Sequence, residues 1–83
     1  MDENTTIGIE FADATDPVAL GDAIRTARLN AGLSQSQLEA KSNVSIWNIS
    51  KIERGGGGTL QNMKKIAEAT DTQLRIGLVP KAK

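Results

Sequence analysis

Between Asp16 and Thr70 the chain carries its own punctuation, and that punctuation leaves room only for short helices packed on one another. Asp16-Pro17 has the form of an N-cap followed by proline at the first helical position. Leu20, Ala23, Ile24, Ala27 and Ala31 then recur at helical spacing, with Asp22, Arg25 and Arg28 among the other positions, until Gly32 ends the run. Ser34 caps a second, short stretch that carries Leu38 and gives out at the polar Lys41 to Asn43. Ser45 caps a third, with Ile49 and Ile52 inward and Gly55 as its stop. Thr59 caps a fourth, with Leu60, Met63, Ile66 and Ala67 inward and Lys64, Lys65 and Glu68 outward. The expected architecture is mainly α, a bundle of four (to five) helices.

The two ends follow another period. Residues 72–79, TQLRIGLV, alternate Leu74, Ile76 and Leu78 against Gln73, Arg75 and Gly77, and residues 6–11, TIGIEF, set Ile7, Ile9 and Phe11 the same way. Both predict short strands, and a lone strand leaves its backbone unsatisfied. They pair either with each other or with their copies in a second subunit. The favoured arrangement is a homodimer whose C-terminal strands meet through Leu74, Ile76 and Leu78. The chain then divides into an acidic N-terminal arm at 1–16 with a strand at 6–11, a helical body at 17–71, and a C-terminal strand and tail for dimerisation at 72–83.

Four consecutive glycines, Gly55 to Gly58, admit three readings: a linker between domains, a phosphate-cradling loop, or a turn between helices. A chain of 83 residues holds one domain at most, and the 25 residues after the run lack any cysteine or metal ligand to staple them. A phosphate loop requires GxxxxGK[ST] after a strand, whereas GGGGTL has no lysine and follows a helix. The run is therefore the turn between the third and fourth helices, with Gly55 as helix stop and Thr59 as the next cap.

Composition narrows the chemistry. The absence of Cys and His removes thiol nucleophiles, imidazole bases, thiolate or imidazole metal sites and Ser-His-Asp triads. The expectation is a protein that is not an enzyme and carries no metal or cofactor. No apolar stretch approaches the roughly 20 residues a bilayer span needs, and the acidic start is unlike a signal peptide, so a soluble cytoplasmic protein with no membrane partner is expected. Net charge is zero but uneven: residues 1–16 hold five acids and no Lys or Arg, while the remainder holds all ten basic residues and five acids. A basic body with an acidic tail hints at nucleic acid.

Residues 33–55, LSQSQLEAKSNVSIWNISKIERG, read helix, tight turn, helix, with apolar residues at Leu38, Val44, Ile49 and Ile52. A second helix thrown across the first by a short turn is the means by which a helix-turn-helix presents side chains to the major groove. The stretch resembles the DNA-binding domains of the Xre/Cro/434-repressor type at Leu33, Ser34, Gln35, Leu38, Val44, Ser45, Ile49, Ser50, Ile52, Glu53 and Gly55. Upstream it is similar to the first helix of that family at Leu20, Ile24, Arg25, Arg28 and Gly32. The resemblance covers about residues 18 to 70 and implies a lambda-repressor-like bundle.

It also implies roles. Ser34, Gln35 and Ser36, opening the second helix, correspond to residues that hold the DNA backbone, aided by the positive dipole end of that helix. The recognition helix, Ser45 to Arg54, would offer Ile46, Trp47, Asn48 and Lys51 to the groove, with Arg54 toward phosphate. Helical geometry agrees, because turning Ile49 and Ile52 inward turns Trp47 and Lys51 outward. Lys51 can donate to guanine acceptors, and Ile46 and Trp47 can press on thymine methyls or sugars. Glu53 corresponds to the partner of a first-helix arginine, here Arg28, in a structural ion pair. Three positions depart from the family pattern: Asn43 stands for the usual turn glycine, Glu39 for a small residue between helices two and three, and glycines for a longer proline-containing loop.

The C-terminal ATDTQLRIGLVPK, a helix running straight into a short apolar strand, looks like the antitoxins of the HigA and HipB kinds. That resemblance implies a repressor of its own operon, bound as a dimer to a palindromic operator in double-stranded DNA and able to neutralise a toxin protein. It places the chain in the bacterial cytoplasm on the nucleoid, with the acidic arm as a candidate toxin contact. The alternative is a stand-alone regulator of phage or restriction-modification type with no toxin partner.

Overall fold

The structure, a computed structural model, describes residues 15–78 and Pro80. Its helices are α1 (Pro17–Asn30), α2 (Gln35–Ser42), α3 (Ile46–Glu53) and α4 (Leu60–Ala69). Each starts on the cap its sequence announces. Asp16 Oδ1 accepts from the amides of Val18 and Ala19 at 3.0 and 3.2 Å. Ser34 Oγ accepts from the Gln37 amide at 3.0 Å while Gln37 Oε1 accepts from the Ser34 amide at 2.8 Å, which satisfies two end donors reciprocally. Ser45 and Thr59 accept from the amides of Asn48 and Asn62 at 3.2 and 3.1 Å.

The ends are equally local. After α3, Gly55 turns to φ +86°, its amide donates to Ile52 O at 3.0 Å, and the Gly56 amide donates to Lys51 O at 2.8 Å. This closing motif requires a left-handed residue, and glycine enters that region without a Cβ penalty. Asn43, with φ 62°, ends α2 where the family has glycine, as the tolerance of asparagine for this conformation predicts. Asp71 does the same after α4 with φ 59°, and Thr72 donates its amide to Ala67 O at 2.9 Å.

One core joins the helices. Ile24 of α1, Leu38 of α2, Val44 of the turn, Ile49 and Ile52 of α3, and Met63 and Ile66 of α4 are buried, with Leu20, Leu33 and Leu74 closing its flanks. Full burial of one such side chain is worth roughly 1.5–3 kcal/mol, so α3 owes its place chiefly to Ile49 and Ile52. α1 crosses α3 at Gly21, where an added Cβ would overlap the Ile52 carbonyl oxygen and sit 3.2 Å from that of Glu53. A larger residue there must push α3 outward.

Two expectations need correction, and a third is not shown. Leu60, expected inward, is 57% exposed, because it opens α4 one turn before the buried Met63. Ala31 is exposed because α1 has already ended at Asn30. Residues 72–78 form neither helix nor strand: Leu74 packs against the core, whereas Ile76 and Leu78 are exposed. Alternating side chains favour a strand only when a neighbouring strand completes the ladder, and the described residues contain none. The expected strand at 6–11, with most of the acidic arm and the tail at 81–83, lies outside the described residues.

Candidate nucleic-acid interface

The turn between α2 and α3 is held from within. Ser42 Oγ, buried, accepts from the Val44 amide at 3.1 Å, left-handed Asn43 reverses the chain, and Val44 enters the core. Glu39 then reaches across, its Oε2 accepting from the Ile46 amide at 3.0 Å. A carboxylate on the first amide of α3 satisfies an end donor and opposes the positive end of the helix dipole. Glu39 therefore does what the small residue of the family pattern cannot: it ties the start of α3 to α2. Leu38 and Ser42 supply the buried face of α2 on either side of it.

Behind α3 an arginine binds three segments together. Arg28 of α1 donates Nε to Glu53 Oε2 at 2.7 Å and Nη2 to Glu53 Oε1 at 2.9 Å, a two-point pair in which both side chains are largely buried. Its Nη1 donates to Leu33 O at 2.9 Å. The hydrogen bond to Glu53 raises the Arg28 pKa above its ordinary value against the opposing effect of burial, with the Glu53 charge adding to the rise. The structural ion pair expected from the resemblance is thus present. Gln35 joins it, donating Nε2 to Glu53 Oε1 at 3.2 Å. Its side-chain amide points to this network, where a carboxylate oxygen supplies a charge-assisted acceptor; the resemblance had implied a phosphate contact for Gln35.

The front of α3 is open. Trp47 is 78% exposed, Asn48 and Lys51 are exposed, and Ile46 is half-buried. Arg54, also exposed, donates Nη1 to Ser50 Oγ at 2.7 Å, which holds its guanidinium along the helix. Ser34 and Ser36 are exposed at the start of α2, and Ser45 is exposed while its hydroxyl caps α3. The glycine loop folds back on α3: a Cβ at Gly56 would lie 2.8 Å from Lys51 Cγ, and one at Gly58 2.6 Å from Ile52 Cγ1. Only residues without side chains fit there, and the stem of Lys51 is packed along the loop.

Charge follows from these contacts. In α2 and α3 both carboxylates are engaged, Glu39 with a helix amide and Glu53 with Arg28, while the cations Lys41, Lys51 and Arg54 are exposed. The two carboxylates of the helix pair are thus tied down, Glu53 opposite a guanidinium and Glu39 at the positive end of the α3 dipole, while the cations remain exposed to solvent. Sequence reasoning assigned no site role to Gln37 or Lys41, and of Glu39 it noted only the departure from the family pattern. Gln37 was signalled by its place three residues after Ser34. Lys41 stood in the polar run closing α2, and only the fold shows it sharing the helix pair with Lys51. The Glu39 cap spans seven residues and has no local signal.

With this geometry in place, comparison with known proteins shows that a family profile described as helix-turn-helix matches residues 24–76, well over half of the chain. A search among curated proteins finds no match. The matched span begins at buried Ile24 of α1, takes in the whole of α2, α3 and α4, and ends at Ile76.

Proposed function

The chain belongs to the helix-turn-helix family, Xre type, and is a DNA-binding transcriptional regulator; from that premise we propose that it binds a palindromic operator as a homodimer and represses its own operon. The observation carrying this reading is the one-sidedness of α3, whose inward residues are all committed to the fold while Trp47, Asn48 and Lys51 are left facing out. In the bound state Lys51 donates to base acceptors in the major groove, and Ile46 and Trp47 lie against thymine methyls. Ser34, Ser36, Ser45 and Arg54 contact the backbone, together with the amide groups that open α2. The two copies join through Leu74, Ile76 and Leu78, whose segment gains strand pairing from its counterpart.

The same reading makes the chain the antitoxin of a two-protein module in the bacterial cytoplasm, supported by the likeness of its helix-to-strand C-terminus to antitoxins of the HigA and HipB kinds. Footprinting on the promoter region of its own gene tests the DNA role. Protection of two half-sites about 34 Å apart is expected, with binding that weakens steeply as salt rises. No footprint at low salt sinks it. Co-purification of the neighbouring gene's product, with relief of its toxicity, tests the antitoxin role; a lone dimer that leaves that product active argues for a regulator without a toxin.

A further inference from the structure

The Lys51 side chain leaves α3 over the bare face of a glycine. A Cβ built on Gly56 would stand 2.8 Å from Lys51 Cγ and 3.5 Å from Lys51 Cε, so the aliphatic stem crosses the place a side chain would take. It would also stand 3.0 Å from the Lys51 carbonyl oxygen, which accepts the Gly56 amide at 2.8 Å. Gly56 thus meets Lys51 twice, through its amide and through the side chain it lacks. The loop beneath the stem is anchored on both sides. The Gly55 amide donates to Ile52 O at 3.0 Å, and a Cβ on Gly55 would lie 3.1 Å from Val18 Cγ2 of α1. One on Gly58 would lie 2.6 Å from Ile52 Cγ1. Lys51 is nevertheless exposed, and its ammonium forms no ion pair among the described residues. A stem laid on a surface with its charged end in water is how long cationic side chains pack.

We infer that Gly56 is a positioning residue for DNA recognition: by leaving room for the Lys51 stem it sets where the ammonium points, and hence the base pair at which Lys51 discriminates. The inference rests on the reading of Lys51 as a base contact. Its physical basis is preorganisation. A lysine carries its charge on a flexible four-carbon stem, and immobilising that stem on binding costs rotamer entropy. Where the stem already lies along an anchored loop, less freedom is lost when the ammonium meets a base acceptor. A methyl group on Gly56 claims the same space, so either the stem swings off the loop or the loop lifts from Lys51. Both redirect the ammonium. Gly56 does not have a positive φ, so alanine there meets no left-handed strain, and the three atoms nearest the added Cβ all belong to Lys51.

The test compares the full chain with Gly56→Ala, Lys51→Ala and the double variant. Gly57→Asn is the control, at a left-handed glycine (φ +76°) where an added Cβ meets nothing within 4 Å. Scalar couplings of the Lys51 side chain in the free protein report its rotamers. Competition among single-base-pair variants of the footprinted operator reports its discrimination. One χ1 and χ2 rotamer should predominate in the parent and in Gly57→Asn, and average in Gly56→Ala. Gly56→Ala should lower discrimination about tenfold at the base pair that Lys51→Ala relaxes, and by less than about twofold once Lys51 is alanine. A glycine inserted between Gly57 and Gly58 loosens the loop without adding bulk and should release the stem likewise, which keeps the test open if Gly56→Ala does not fold. Positioning is overturned if Lys51 keeps its rotamer and its base preference in these variants. It is equally overturned if Gly56→Ala costs as much in the Lys51→Ala background, or if Gly57→Asn has the same effect. If Lys51→Ala relaxes no base pair of the parent operator, the reading of Lys51 as a base contact fails first and takes the inference with it.

Discussion

On the inward side of α3, Ile49 and Ile52 are sealed from solvent and Glu53 holds a two-point arginine, while on its outward side Trp47, Asn48 and Lys51 face solvent with no side-chain hydrogen bond to another described residue. The same eight-residue helix, Ile46–Glu53, thus divides its residues between holding its position and leaving a surface available. Such a helix is too short to be stable alone. Its rigidity is borrowed from α1 through Arg28 and Gly21, from α2 through Glu39 and Gln35, and from the loop through Gly58. The outward residues can consequently change without unfolding the protein, which lets one scaffold present different side chains to different sequences.

Substitutions on each side should separate stability from binding. The largest effect is expected for Arg28→Ala, which strands the Glu53 carboxylate and should destabilise by about 3–5 kcal/mol; an unchanged melting temperature would show that the pair does not hold α3. Lys51→Ala should leave the melting curve in place but reduce discrimination at its contacted base pair by about 1–3 kcal/mol, read by competition between operator variants. A uniform loss across all sequences would instead make Lys51 a backbone contact. Glu39→Ala removes the carboxylate from the Ile46 amide and should lower the denaturant midpoint by the equivalent of about 1 kcal/mol. The smallest change is expected for Trp47→Ala, less than about 0.5 kcal/mol in stability. A melting drop of several degrees in that variant would move Trp47 to the inward side and break the comparison.

The two irregular stretches show where sequence reading succeeds and where it stops. Gly55 to Gly58 looked featureless, yet each constraint on them is short in range: a left-handed stop at Gly55, a backbone bond from Gly56 to Lys51, a contact of Gly58 with Ile52. Residues 72–78 looked more strongly patterned, and their alternation still makes no strand within the described residues. The glycines answer to neighbours a few residues away, whereas a ladder depends on a segment that local sequence does not name. Gln35 illustrates the same limit within the site. Its place at the start of α2 was readable, but the choice between phosphate and Glu53 for its side chain depends on a residue 18 positions away.

By itself the sequence determined the caps at Asp16, Ser34, Ser45 and Thr59, the stops at Gly32, Asn43 and Gly55, and hence four helices with Ile49 and Ile52 facing in. These rest on hydrogen bonds and rotations confined to about one helical turn, where the chain carries both partners side by side. The Arg28–Glu53 pair was legible only by resemblance, since 25 residues separate its members. The tertiary structure alone decided that Glu39 caps α3, that Gln35 turns to Glu53, that Leu60 stays at a groove's edge, and that residues 72–78 form no strand with any other described segment. Each is a competition among partners that folding brings together from distant positions, and packing rather than local preference selects the winner.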